Sequence, residues 1–202
     1  MPEGVKAAVS VVSEATNAAL NAVGLNSAVL DFYGHPKLNP LTETYFSQAP
    51  IRYGDYIAKL RVRPLGPVEN EEIAIDEENG LRDIVTAELR SRGAEFAVEV
   101  QLCTNLDDMP VENAHARWSQ EDSPYREVAR LTLPPQDADP AGPHGADEDR
   151  LSFSPAHSLE VHRPLGSIMR ARMRVYEVMA ARRREANGSS VAEPTSAEPV
   201  SV

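Results

Sequence analysis

Residues 56–63 read Tyr56-Ile57-Ala58-Lys59-Leu60-Arg61-Val62-Arg63. From Ala58 onward, apolar side chains alternate with cationic ones, and a period of two is typical of a β-strand with one buried face and one face in water. Pro64 and the pair Gly66-Pro67 follow directly, and such residues interrupt a strand. The stretch therefore predicts one strand of a sheet that has a single wet face.

Further stretches of the chain show the same alternation. Glu95–Cys103 has apolar side chains at its even-numbered positions, and Glu127–Leu133 has them at its odd-numbered positions from Ala129 onward. A shorter candidate strand is Ile73-Ala74-Ile75. Because loops and short helical segments separate these strands, the pattern predicts an antiparallel sheet, either in an α+β fold or as part of a β-barrel.

Helical periodicity is found near both ends of the chain and once between the strands. Residues 5–23 carry one apolar face with polar residues between, residues 81–91 fit a short helix, and residues 165–186 fit a longer one. Arg163-Pro164 provides a start signal for the longer helix, and Asn187-Gly188 provides a stop signal. The apolar face of the first helix requires a partner surface, in this chain or in another.

The distribution of residue types divides the chain into three parts. We expect an N-terminal amphipathic helix over residues 1–24 and a main folded region over residues 25–186. Residues 187–202 are mostly small and polar, so they are expected to form a disordered tail.

The overall composition excludes several classes of protein. The net charge is −11 and the pI is about 4.9, so the surface repels phosphate and no nucleic-acid partner is expected. A single cysteine, Cys103, cannot form an internal disulfide. No apolar run reaches the length of a membrane-spanning helix, and the N-terminus lacks the pattern of a signal peptide. These features predict a cytoplasmic protein without a membrane partner.

The last predicted helix is strongly cationic although the protein is acidic. Six arginines lie between positions 170 and 184, and Glu177 is the only acidic residue among them. One interpretation is a solvated basic face, or a helix paired with the acidic residues 69–78.

A stripe on this helix allows a second interpretation. Ile168, Arg172, Tyr176, Met179 and Arg183 follow one another at helical spacing, so they share one face. A phenol is a poor metal ligand while it is protonated, and an adjacent guanidinium or ferric ion favours the phenolate. A tyrosine stacked on an arginine at a helix surface is the simpler alternative, and the spacing alone favours that alternative.

Several short motifs occur in a defined order between residues 39 and 184. They are Asn39-Pro40-Leu41, residues 45–55 (YFSQAPIRYGD), residues 128–133 (VARLTL), residues 151–155 (LSFSP), residues 163–167 (RPLGS), residues 172–176 (RMRVY) and Arg183. Together they resemble the C-terminal part of catalase-related haem proteins. Residues 163–167 are more similar to the small, minimal members of that family than to the large enzymes.

The resemblance implies both a fold and a cofactor. It implies antiparallel strands that form part of a catalase-like β-barrel with flanking helices, and it implies a b-type haem. Tyr176 would be the proximal ligand of the haem iron, Arg172 would hold its phenolate, and Arg183 would meet a propionate. The residues that would line the haem are Phe153, Ile168, Val175 and Met179.

The resemblance also implies a reaction, namely haem-dependent catalase or peroxidase chemistry on hydrogen peroxide or an organic peroxide, as in the response to oxidative stress. Such chemistry needs a distal acid/base, which the family takes from an N-terminal histidine. None of the five histidines of this chain lies in a segment that resembles the distal motif. The alternative is therefore a truncated haem-binding or structural remnant without turnover. In either case we expect a homo-oligomer, or association with another chain that supplies the remaining strands.

Overall fold

The computed structural model describes Thr16 and residues 38–66, 79–139 and 152–188. Within these ranges the strands are β1 (Tyr45–Phe46), β2 (Ile51–Tyr53), β3 (Tyr56–Pro64), β4 (Ala94–Leu102) and β5 (Arg126–Leu133). The helices are α1 (Gly80–Ser91) and α2 (Gly166–Asn187), and a short 3-10 turn spans Glu160–His162.

The five strands form one antiparallel sheet, as the alternation in the sequence predicts. Their order is β1-β3-β4-β5, and β2 also pairs with β3. Within the described ranges β5 pairs with β4 alone, so the sheet is open and is not closed into a barrel. The sequence predicted part of a β-barrel, and the structure shows instead an open sheet with flanking helices. The barrel does not close because none of the described strands pairs with the second edge of β5.

The helices expected at 81–91 and 165–186 are present as α1 and α2, within one residue at each end. The helix expected within residues 1–24 and the tail expected over 187–202 lie almost entirely outside the described residues, as does the candidate strand at 73–75, and these remain predictions. Neither α1 nor α2 combines the length and apolarity needed to cross a membrane.

One face of the sheet departs from the single wet face that the alternation predicts. Lys59, Glu99 and Gln101 are 8%, 5% and 2% exposed, although they point away from the apolar face. The reason is the loop 103–125, which folds back over them. The side-chain amide of Gln101 lies within hydrogen-bonding distance of three backbone carbonyls of this loop. The expectation of a wet face is therefore wrong over the centre of the sheet.

Glu99 is the buried charge on this covered face. The Nε of Arg61 donates to its carboxylate at 2.6 Å, and Arg63 Nε lies 3.6 Å from the other carboxylate oxygen. The Arg61 guanidinium also lies 4.1 Å above the ring of Tyr125, at the end of the covering loop. The hydrogen bond from Arg61 holds the pKa of Glu99 below its usual value, against the opposing effect of burial.

Lys59 is the second buried charge on the same face. Its ammonium donates to the carbonyl of Ala116 at 2.9 Å and lies 4.8 Å above the ring of Trp118. Burial lowers the pKa of Lys59 because desolvation disfavours the charged form. Lys59 and Arg61 therefore tie the loop to the sheet, through a hydrogen bond and through contacts with the rings of Trp118 and Tyr125.

β2 connects the sheet to the segment that precedes α2. The N–H of Arg52 donates to the carbonyl of Arg163 at 2.9 Å, and the N–H of Leu165 donates to the carbonyl of Pro50 at 3.0 Å. Residues 160–165 are thereby held along the free side of β2. The start of α2 thus has a defined position relative to the sheet.

Replacing Glu99 by Gln should lower the free energy of unfolding by about 1–3 kcal/mol at neutral pH, because a buried, charge-assisted hydrogen bond is lost. Glu99 has a lowered pKa in the folded chain, so its contribution is present above the ordinary glutamate pKa of 4.5 and is lost as the pH falls through the folded value. Urea unfolding should therefore show that the wild type and Glu99→Gln become more similar in free energy of unfolding as the pH falls below 4.5.

The matched control is Glu95→Gln, an exposed glutamate on the same strand. It should leave the free energy of unfolding nearly unchanged, since isolated surface ion pairs contribute little. An equal loss of stability in the two variants would contradict the role assigned to the buried carboxylate.

Candidate functional site

The first turn of α2 is fixed against the covering loop. Gly166 has a φ of +87°, and a Cβ at this position would lie 2.6 Å from the carbonyl oxygen of Val111. One turn later, both terminal nitrogens of Arg170 donate to the two carboxylate oxygens of Glu112, each at 3.0 Å. This bidentate bond holds the pKa of Glu112 below its usual value. Residues 111–112 therefore set where α2 begins.

Arg172 and Tyr176 are in direct contact on α2. Nη2 of Arg172 donates to the phenol oxygen at 3.0 Å, and its guanidinium carbon lies 5.4 Å from the ring centroid. Nη1 of the same guanidinium lies 3.9 Å from the sulfur of Met169. The phenol oxygen is thus held by a guanidinium from within its own helix.

Tyr176 lies on a groove along the exposed side of α2, with a volume of about 640 Å³, which we call the α2 groove. Its walls are mainly apolar, with cationic side chains towards the C-terminal end of the helix. The lining residues are Ser152, Phe153, Val175, Tyr176, Met179, Ala180, Arg182, Arg183 and Ala186. Five of the residues singled out in the sequence therefore come together in one groove.

The apolar side chains of the α2 groove face solvent. Phe153 is 77% exposed, Val175 57% and Met179 54%. Single exposed apolar residues are ordinary, but a contiguous set beside a phenol and cations is characteristic of binding surfaces. The α2 groove thus combines exposed apolar side chains with a phenol and cations.

Two residues of the predicted set do not line the α2 groove. Ile168 lies two turns before Tyr176 on the helix and is 36% exposed. Arg172 reaches Tyr176 through its hydrogen bond but is not part of the groove wall. The helical stripe inferred from the sequence is therefore longer than the groove.

A second groove runs over the uncovered face of the sheet, with a volume of about 830 Å³, and we call it the sheet groove. Its floor is formed by Leu60, Val98 and Val100. His162 stacks on Tyr53 at its rim, with ring centroids 5.7 Å apart. Sequence alternation predicts the apolar floor, but no local signal brings the histidine to Tyr53, because that contact spans more than a hundred residues.

Metal ligation by a cluster of histidine, cysteine or carboxylate side chains has no basis in the described ranges. None of the residues in 38–66, 79–139 and 152–188 forms a group of three or more such side chains that could hold an ion. Tyr176 is the metal-ligand candidate of the predicted set, and it would act through a haem iron.

Comparison with known proteins gives a fold. No family model and no curated protein matches the sequence. A fungal catalase matches the structure with a TM-score of 0.62 over 76% of this chain, at 13% identity. Catalase A from Saccharomyces cerevisiae matches with a TM-score of 0.59 over 73% of the chain, at 18% identity. The fold is catalase-like. The chain spans about one third of the length of each catalase, 33% in both cases.

The catalase-like fold agrees with the resemblance that the motifs suggest. At these identities the similarity extends to the fold alone, so the cofactor, the iron ligand and the reaction are not transferred with it. The open sheet remains the main difference from the expectation of a barrel.

Gly166→Ala should destabilise the chain more than Gly54→Ala. Both glycines have positive φ values, +87° and +62°, and each alanine carries a backbone strain of about 1–2 kcal/mol. A Cβ at Gly54 meets no atom within 4 Å, whereas one at Gly166 overlaps the carbonyl of Val111 and displaces the start of α2. Urea unfolding of both variants measures the difference.

Hydrogen exchange gives the local readout for the same pair. Gly166→Ala should increase exchange in the first turns of α2, and Gly54→Ala should leave that helix protected as in the wild type. Equal protection of α2 in the two variants would contradict the role of Gly166 in positioning the helix.

Proposed function

We propose that this chain binds b-type haem against the α2 groove, with Tyr176 as the iron ligand, and acts as a catalase-like or peroxidase-like oxidoreductase on hydrogen peroxide or an organic peroxide. The observation that carries the proposal is the 3.0 Å hydrogen bond from Arg172 to the phenol oxygen at the edge of an exposed apolar groove. The catalase-like fold supports it, since tyrosine ligation of haem is a property of catalases.

The residues of the groove fit the chemistry of haem on one face. Phe153, Val175 and Met179 offer apolar contact to a flat macrocycle, and the phenol of Tyr176 offers an oxygen ligand to ferric iron. Arg183 lies two turns beyond Tyr176 at the cationic end of the groove, where its guanidinium can meet a propionate. This donor set supports haem as the ligand of the α2 groove.

Bound haem supplies the redox-active iron, and this chain supplies its orientation and electrostatics. The guanidinium of Arg172 has only N–H donors and no acceptor, so it donates towards the phenol oxygen. That donation holds the phenol oxygen in one orientation, as a ligand to iron would require. The ion pair between Arg170 and Glu112, and the close approach of Gly166 to the carbonyl of Val111, hold the helix on which Tyr176 lies.

One observation favours the alternative of haem binding without turnover. Peroxide cleavage requires a group that accepts a proton from one peroxide oxygen and returns it to the other. The described lining of the α2 groove contains no histidine, aspartate or glutamate. A haem-binding or structural role without peroxide chemistry is therefore the second candidate, and the predicted cytoplasmic location is common to both.

Titration of the purified chain with haemin should give a Soret band that saturates at one haem per chain. Tyr176→Phe removes the ligand oxygen and should shift the Soret band and weaken binding. Tyr56→Phe serves as the matched control, because Tyr56 is exposed and does not line the α2 groove. Identical spectra and affinities for Tyr176→Phe and the wild type would refute tyrosinate ligation.

Arg172→Leu should weaken haemin binding by about 10-fold to 100-fold, since it removes the group that orients the ligand. Arg174→Leu is the matched control, because it removes an exposed arginine of the same helix that pairs with Glu177 instead. If Arg172→Leu and Arg174→Leu weaken haemin binding equally, the binding depends only on the general charge of the helix.

Peroxide consumption by the haem-loaded chain separates the two candidate functions. Loss of hydrogen peroxide or cumene hydroperoxide faster than with free haemin, and abolished in Tyr176→Phe, supports the oxidoreductase. A stable Soret band with peroxide loss no faster than that of free haemin supports the binding role without turnover.

A further inference from the structure

β5 is an exposed edge of the sheet. Seven of its eight residues are exposed, and Val128 and Leu131 are each 45% exposed. Within the described ranges β5 pairs with β4 alone, so the backbone N–H and C=O groups along its other side have no strand partner. Edges of this kind form templates for pairing with another strand unless they are blunted.

The pairing of β5 with β4 defines which side chains share a face. Glu127 aligns with Glu99 and Arg130 aligns with Ala97, so both lie on the face that the loop 103–125 covers at the sheet centre. Val128 is the extra residue of a β-bulge, which brings Glu127 and Arg130 onto the same face. The two charges are bonded to each other at 2.8 Å along the strand.

We propose that β5 pairs antiparallel with β5 of a second copy of this chain, about a two-fold axis that passes between Val128 and Ala129. In this register Glu127 lies opposite Arg130 of the second copy, and the same pair recurs across the axis. Arg126 then lies opposite Leu131 on the other face, which aligns with the apolar floor of the sheet groove. Each directly opposed pair consists of side chains on the same face, as antiparallel pairing requires.

The charges of the strand favour this occupant over an unrelated strand. Like charges directly opposite one another are destabilising, and an axis through Arg130 would place the two arginines against each other. The register about Val128 and Ala129 replaces that repulsion by two attractive pairs. Pairing in this register breaks the existing bond between Glu127 and Arg130 of the same strand. Little stability is lost, because these side chains are 38% and 64% exposed and such a bond is weak in water.

The second copy also extends a surface that the single chain leaves unfinished. Val128 and Ala129 form the outer wall of the sheet groove, which ends at the edge of β5. The same two residues of the second copy would continue this wall across the axis. The sheet groove is therefore incomplete without the second copy, and pairing removes exposed apolar surface from water.

Charge reversal across the axis tests the register with the full chain. Glu127→Arg and Arg130→Glu should each raise the dimer dissociation constant by at least about tenfold in sedimentation velocity, because two attractive pairs become repulsive at once. An equimolar mixture of the two variants should form a heterodimer at least as tight as the wild-type dimer, since every arginine then faces a glutamate. The bond within each strand stays broken in both variants, so restored pairing can arise only between chains.

The controls separate pairing from folding and from general charge. Arg82→Glu, an exposed arginine of α1, changes the net charge as Arg130→Glu does and should leave the dissociation constant unchanged. A mixture of Glu127→Arg with Arg82→Glu should form a heterodimer of intermediate strength, weaker than that of the Glu127→Arg and Arg130→Glu mixture, because one of its two pairs places an arginine opposite an arginine. Circular dichroism of each variant confirms that the fold is intact before its dissociation constant is compared.

Weak single variants and a restored mixture support the proposed register. The proposed register is overturned if the wild-type chain stays monomeric or if the single variants dimerise like the wild type. It is also overturned if the mixture of folded variants does not associate. Haem binding is measured separately by the Soret band, so failure of this proposal leaves the proposed function untouched.

Discussion

The ion pair between Arg61 and Glu99 is the interaction on which the rest of the described structure depends. It lies between the two longest strands, on the face that the sequence pattern would leave in water. A carboxylate that is only 5% exposed is unfavourable unless it is paired and hydrogen-bonded, and both conditions are met here. The same guanidinium stacks on Tyr125, so the pair also fixes the end of the loop that covers this face.

The position of Tyr176 follows from this pair through a chain of contacts. The loop that closes over Glu99 also contains Glu112, which holds Arg170 on the first turns of α2. β2 provides a second support through its bonds to the segment before that helix. Two independent supports on one helix are what a precise ligand position requires, since a ligand group held only by its own rotamer is too loose. The helix is therefore placed by the sheet and the loop together, although the face around Tyr176 is lined by exposed apolar side chains.

The parts of this architecture that could be predicted are those with local causes. The alternation in β3 and β4 follows from the period of a strand, and the contact between Arg172 and Tyr176 follows from the four-residue spacing of a helix. The burial of Glu99 and Gln101 has no local signal, because it depends on a loop that returns from residues further along the chain. The bond between Arg170 and Glu112 spans 58 residues and could not be inferred from spacing. An open sheet and a closed barrel also share the same strand pattern, so the sequence could not distinguish them.

Among the described residues, the α2 groove and the edge strand β5 are apolar surfaces that differ in what can cover them. The α2 groove combines apolar side chains with a phenol and cations, and these are the groups on which the proposed haem binding rests. β5 presents backbone donors and acceptors along an exposed edge that carries both charged and apolar side chains. Another strand therefore matches this edge better than a small molecule does. Apolar burial stabilises both kinds of association by about 25 cal/mol per Å² of surface removed from water, without selecting the occupant. The polar groups beside each surface make that selection, and they differ between a helix with a phenol and a strand edge with alternating charges.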